Sequence, residues 1–289
     1  MIKTGEEQYL ELMKKVIDEG VWIKNKRTGV RCKTIIGHTI ILDTANDAFP
    51  MITTRKVGYK FALAEFLGYL KKGESSAARF RELGTKTWDA NANENKDWLA
   101  NPNRKGEDDM GYCYGEVGRK FRNLDGTTFD QLKKIVDDLK KGIDDRGEIL
   151  TFWHPNTSHL ACLRPCLHTH TFSILGDTLH LTSSMRSTDV ALGLVANIQQ
   201  VVMFLRLMAQ MAGLKSGRVK FDMVNIHLYE QQYSLALEHV KRKPFAQPQL
   251  KINPDIKTLE DLDDWVSVND FTVEGYNEFH PPIKYPFTV

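Results

Sequence analysis

Apolar positions along this chain change their spacing several times, and each change predicts an element. Between Gln8 and Glu19 the residues Tyr9, Leu10, Met13, Val16 and Ile17 fall at helical spacing, and Gly20 follows as a stop. Arg31 to Leu42 holds β-branched residues in a strand-like run around Gly37-His38. Val57 to Lys72 is largely apolar with a single acid, Glu65, which predicts a mostly buried helix. Thr128 to Lys141 carries one apolar stripe, with Thr127 or Thr128 placed to cap its start. Strands are predicted at Glu148 to Trp153, His168 to Leu175 and Thr178 to Met185, the last two joined by the turn pair Gly176-Asp177.

Val195 to Met211 is apolar nearly all the way round, as in a helix buried in a core; Arg206 and Gln210 interrupt it well short of a membrane span. A further helix follows at Glu230 to Lys241, and Pro244, Pro248 and Pro254 keep the next segment extended. Residues 92–109 are polar, rich in Asn, Lys, Asp, Pro and Gly, and read as an insertion loop. Without an internal repeat or linker, the expectation is one α/β domain over 1–289.

Composition changes this picture little. The chain has 289 residues, 42% hydrophobic and 26% charged, with a formal net charge of +2. Nothing there points to nucleic acid or an anionic membrane. The start lacks an apolar secretory core, and four cysteines at 32, 113, 162 and 166 show no zinc-type spacing, so a reduced cytoplasmic protein is expected.

The candidate chemistry is concentrated between Leu163 and Ile198. Cys166 follows Pro165 and precedes a strand; it is either an inert buried thiol or a nucleophile whose charge Arg164 and Arg186 stabilise. Arg27, Arg146 and Arg186, with Ser187, are the donor types a phosphate takes, or else solvated surface charges. Asn197 opens an apolar helix, as its N-cap or as an amide that reads a uracil edge. His227 and Tyr229 share a face in an extended chain. His154, His159, His168 and His170 lack carboxylate or cysteine partners at ligand spacing, so no metal is expected.

These residues, in this order, resemble the thymidylate synthase family, which includes deoxypyrimidylate hydroxymethylases. The likeness runs through Arg27-Thr28-Gly29, Phe49-Pro50-Met51-Ile52-Thr53-Thr54, Trp88-Asp89-Ala90-Asn91 and Pro165-Cys166. It continues through Arg186-Ser187-Thr188-Asp189-Val190, Leu192-Gly193, Asn197-Ile198, His227-Leu228-Tyr229 and Glu274-Gly275-Tyr276. The resemblance implies a large mixed β-sheet flanked by helices, packed back to back in a homodimer.

It further implies covalent one-carbon transfer to C5 of dUMP or dCMP, with methylenetetrahydrofolate as co-substrate. Cys166 would add to C6, Glu65 would organise proton transfers, and Tyr114 would assist loss of the C5 proton. Asn197 would read the base. Arg27, Arg186 and Ser187 would hold the phosphate together with Arg146 from the partner subunit, and His227 and Tyr229 the deoxyribose. Trp88, Asn91, Asp189, Gly193 and Val289 would form the folate side.

Departures from the family pattern shape the expected product. Leu167 stands where a histidine is usual, Gly147 replaces a second arginine, and Gly118 and Ala196 replace aromatic residues. Arg164 is a candidate substitute for the missing arginine. Two lost aromatics would open space for water beside the folate, so the expectation leans to a dUMP hydroxymethylase over a thymidylate synthase. The tail Pro286-Phe287-Thr288-Val289, which closes the site in synthases, argues the other way. Further alternatives are a dCMP hydroxymethylase and a nucleotide-binding homologue without catalysis. An amide at 197 suits uracil's N3–H and O4 and so favours dUMP.

Overall fold

The computed structural model describes residues 3–26, 29–73 and 75–287, the side chain of Asp47 excepted. Its centre is a mixed sheet of six strands in the order Val21–Lys24, Arg31–Asp43, Lys215–Tyr229, Thr178–Asp189, Leu167–Leu175, Ile149–Thr151. Neighbours run antiparallel except Thr178–Asp189 and Lys215–Tyr229, which are parallel. A parallel pair needs a crossover, and the Gly193–Ala212 helix provides it. That helix has the length and composition of a membrane span, yet 83% of its apolar window is buried within the protein. It is a core helix, with Phe204 and Leu205 fully enclosed.

The parallel register brings distant polar residues together. It sets Ser187 beside Asn225 and Asp189 beside His227, joining two polar segments about forty residues apart in the chain. The Lys215–Tyr229 strand is the long element that the polarity pattern hides: Arg218, Lys220, Asp222 and Asn225 interrupt its apolar positions. The hairpin at Gly176-Asp177 forms as expected, with Leu175 opposite Thr178 and Gly176 at φ +64°.

Several boundaries move for local reasons. The first helix begins at Gly5, because Thr4 and Glu7 form a capping box upstream of the apolar stripe. Gly20 ends it at φ −64°, outside the left-handed region; glycine is needed because a Cβ there would lie 2.4 Å from the Val16 carbonyl oxygen. The Thr128–Lys141 reading shortens to Gln131–Lys140 capped by Asp130, not by either threonine. Thr128 and Phe129 instead pair with Phe121–Arg122. The buried helix expected over Val57–Lys72 runs from Lys60 to Leu70.

The polar 92–109 segment is anchored rather than free-running. It includes a short helix at Lys96–Leu99, with Trp98 only 2% exposed and its indole N–H donating to the Asp109 carbonyl at 2.6 Å. Asn95 donates to the Cys162 carbonyl and Arg81 pairs with Asp108, so both flanks are tied to the body.

Candidate active site

Cys166 sits at the mouth of the Leu167–Leu175 strand, half-buried and outside any disulfide. The adjacent strand brings Arg186 against it: the Arg186 backbone N–H donates to the Cys166 carbonyl at 2.9 Å. The guanidinium then folds over the cysteine loop. Its Nε donates to the Pro165 carbonyl at 2.9 Å, and Nη2 to the Arg164 carbonyl at 2.7 Å and to Cys166 Sγ at 3.5 Å. A cation aimed at the sulfur stabilises negative charge on it.

From the other side, the Cys166 N–H donates to the Tyr114 hydroxyl at 3.0 Å. Tyr114 has φ +40°, a conformation that costs about 1–3 kcal/mol for a residue with a side chain. Its ring stacks on Tyr69 with centroids 4.0 Å apart, and the following Gly115 approaches the Gly68 carbonyl so closely that a Cβ would stand 3.0 Å from it. Burial, with Cys166 charge next, pushes the Tyr114 hydroxyl well above its ordinary pKa, so it remains a protonated phenol.

Glu65 projects from the Lys60–Leu70 helix into the same region. Gln200 Nε2 donates to it at 2.8 Å, and Thr87, Tyr69 and Trp88 also act on it as donors. Burial still raises its carboxyl above the ordinary value, because those bonds offset the desolvation only in part. Trp88 is 3% exposed and donates to the Tyr69 hydroxyl at 3.2 Å, which joins the Tyr114–Tyr69 stack to Glu65.

Asn197 lies in the second turn of the Gly193–Ala212 helix, whose N-cap is Leu192, so the capping alternative falls away. Its Nδ2 donates to Gln200 Oε1 at 2.8 Å. Contacts thus link Cys166 through Tyr114, Tyr69, Glu65 and Gln200 to Asn197, by hydrogen bonds except at the Tyr114–Tyr69 ring stack. A thiol, a carboxyl, a phenol and an amide brought together can support addition to a polarised ring and proton transfer around it.

A second branch starts at Asp189. Its Oδ1 accepts from the N–H groups of Ala191 and Leu192 at 2.8 and 3.2 Å, and its Oδ2 from Gln232 Nε2 at 2.8 Å. Burial raises this carboxyl too, against those donors and Arg55. Gln232 also donates to the Pro286 carbonyl at 3.1 Å and accepts from the Tyr229 N–H, tying the tail to the Asp189 region. His227 and Tyr229 do share a face, with ring centroids 5.1 Å apart, and His227 Nδ1 lies 3.0 Å from Asn225 Oδ1.

Other expected residues are placed less directly. Ser187 is half-buried next to Arg186, Gly193 is exposed at the helix start, and Asn91 is half-buried in the Asp89–Asn93 turn of helix. Arg146 is exposed in the loop where Asp144 accepts from the Ile174 N–H, near the opposite end of the Leu167–Leu175 strand. At about 3.3 Å per residue, that end is roughly 26 Å from Cys166. One chain alone therefore does not bring Arg146 to the thiol. Arg27 and Val289 lie outside the described residues.

Gln200, Gln232, Tyr69 and Phe152 were missed as site residues. Of these, Gln200 alone left a signal in the sequence, as an amide inside the largely apolar run 195–211. His168 turns its Nδ1 to the Thr169 hydroxyl at 2.8 Å. Among the described residues, no three His, Cys, Asp or Glu side chains gather to hold a metal ion.

The space expected at Gly118 is closed. A Cβ there would lie 2.9 Å from Phe152 and 3.4 Å from Leu150, and Phe152 packs in turn on Tyr114 with centroids 5.3 Å apart. The lost aromatic is compensated by another ring entering from the Ile149–Thr151 side, so Gly118 opens no path for water.

Comparison with known proteins shows the family of the whole chain. A family model described as thymidylate synthase matches residues 7–289. Curated relatives named thymidylate synthase include one from Haemophilus influenzae (strain PittGG), 60% identical over 98% of this chain and 99% of its own length. Those from Idiomarina loihiensis and Pasteurella multocida are each 58% identical, covering 98% and 97% of this chain and 99% of their own. With its sequence matched almost end to end and its thiol, carboxyl and amide gathered beside one mixed sheet, the chain belongs to the thymidylate synthase family and is a transferase of that family.

Proposed function

We propose that this enzyme converts dUMP to dTMP, with methylenetetrahydrofolate as the source of the carbon and of two electrons. The observation that carries this reading is Cys166 held from two sides, its sulfur met by the Arg186 guanidinium and its backbone N–H donating to the Tyr114 hydroxyl. Two findings favour methyl transfer over the hydroxymethylation anticipated from Gly118 and Ala196: relatives 58–60% identical are named thymidylate synthase, and Phe152 fills the space at Gly118.

In this mechanism the Cys166 thiolate forms a bond to C6, and the C5–C6 π pair moves to C5 with charge shared at O4. C5 then bonds to the incoming one-carbon unit. Tyr114, a protonated phenol, orders the water that takes the C5 proton, while the buried Glu65 carboxyl relays protons at the O4 side. As the C5 proton leaves, the bond from the one-carbon unit to the folate nitrogen breaks with its pair going to nitrogen. Hydride from the tetrahydrofolate so released, which departs as dihydrofolate, then completes the methyl group, and the S–C6 pair returns to sulfur as C5=C6 re-forms. Arg27, Arg186 and Ser187 hold the phosphate, together with Arg146 from the partner subunit. His227 and Tyr229 hold the sugar. Asp189 suits the folate pterin as a buried carboxyl capable of accepting from its N–H groups, and the family resemblance assigns Trp88, Asn91, Gly193 and Val289 to the folate as well.

A homodimer follows from the Arg146 assignment, because its own loop stands far from its own thiol. The reduced state of the four cysteines suits the cytoplasm. The test is product mass. Wild-type enzyme with dUMP and methylenetetrahydrofolate should add CH2, and a gain of CH2O would restore the hydroxymethylase reading. Cys166→Ser should bind dUMP yet release no tritium from C5-labelled substrate; retained release would remove the covalent route.

A further inference from the structure

We infer that Gln200 is a specificity-determining positioning residue, which fixes the orientation of the Asn197 amide and thereby excludes cytosine. The inference rests on the reading of Asn197 as the base-contacting side chain. Its warrant is a chain of obligate roles. Gln200 is fully buried in the Gly193–Ala212 helix, and one end of its amide meets both the Ala62 carbonyl at 3.0 Å and Glu65 Oε2 at 2.8 Å. A backbone carbonyl only accepts, so that end must be the NH2 group whatever the protonation of Glu65. Its Oε1 is then left facing Asn197, at 2.8 Å, and only Nδ2 of Asn197 can be the donor there.

With that contact set, the outer edge of Asn197 offers Oδ1 as acceptor and the second Nδ2 proton as donor. Uracil presents N3–H and O4 and matches this edge. Cytosine presents an N3 acceptor and an amino group, so it needs the amide reversed. Reversal would set Asn197 Oδ1 against Gln200 Oε1, two acceptors at hydrogen-bonding distance. Gln200 is thus the repulsive element of the selectivity as well as its support. A fully buried amide is costly unless it is hydrogen-bonded, and both ends of the Gln200 amide are.

The experiment compares dUMP and dCMP on purified full-length protein by calorimetric Kd, and by kcat/KM with methylenetetrahydrofolate. Gln200→Met keeps the volume and removes both roles, so the dUMP preference over dCMP should fall by about tenfold or more, the scale of one lost hydrogen bond. A purely structural role would weaken both nucleotides alike and leave their ratio fixed. Should Gln200→Met fail to fold, Gln200→Ala, whose vacated volume admits water, carries the same comparison. Asn197→Asp is the control. If it shifts the ratio toward dCMP while the Gln200 variants do not, Gln200 has no orienting role and the inference is overturned. If neither position moves the ratio, another group reads the base, and both readings fall together.

Discussion

Acid should destabilise this protein through two histidines held neutral in its core. His170 is fully buried among Phe66, Phe152 and Phe204, with ring centroids 5.1–5.9 Å away and only Nδ1 bonded, to the Ser183 hydroxyl at 2.9 Å. His239 is also fully buried, bonded to Thr54 and Tyr285 and facing Arg55 and Arg242. Burial lowers both from 6.5 to about 3. Between those values the unfolded chain binds protons that the folded one refuses, so stability is fully present above pH 6.5 and is lost as pH falls toward 3. At pH 5 each histidine sits about 1.5 units below its unfolded value, which costs about 2 kcal/mol. Two of them remove about 4 kcal/mol, a large share of the stability of an ordinary fold. Glu65 and Asp189, whose carboxyls are raised, act in the opposite direction, so the difference between variants is the clean quantity. The assay is urea unfolding at pH 5, 6 and 7 for wild type and His170→Gln. The variant carries a constant offset, but between pH 7 and 5 it should lose about 2 kcal/mol less than wild type. Parallel curves would show that His170 is not held neutral, and the burial argument would fail.

Other perturbations test separate parts of the molecule. Arg119 is a buried cation paired with Asp130 and Asp263; Arg119→Met should cost about 3–5 kcal/mol because two carboxylates lose their partner, read as a lower urea midpoint. Gln199 has neither amide atom hydrogen-bonded at 0% exposure, so Gln199→Met should raise stability by about 1–3 kcal/mol, and a lower melting temperature would show that the amide is satisfied. Gln232→Met removes donors from Asp189 and Pro286; carboxypeptidase should shorten the tail faster, while unchanged digestion would mean that Tyr285 holds it unaided.

The amino-acid sequence by itself determined the parts that depend on neighbours along the chain. Helical spacing marked the core helix, Gly176-Asp177 marked the hairpin, and the order of short motifs named the family before any coordinates. Cys166 and Asn197 stood out by residue type and position, whereas Glu65 and Tyr114 were assigned through the family resemblance. What only the tertiary structure decided lies across long loops. Gly118 reads as a hole in the sequence and is a contact in the fold, since the ring that fills it, Phe152, is thirty-four residues away. Gln200 and Gln232 become meaningful only through Ala62, Glu65, Asp189 and Pro286, partners supplied by helix packing, the parallel register and the returning tail. Local periodicity records which face of an element is buried. It does not record which distant atom will meet that face, because pairing over such separations is chosen by the packing of the whole core.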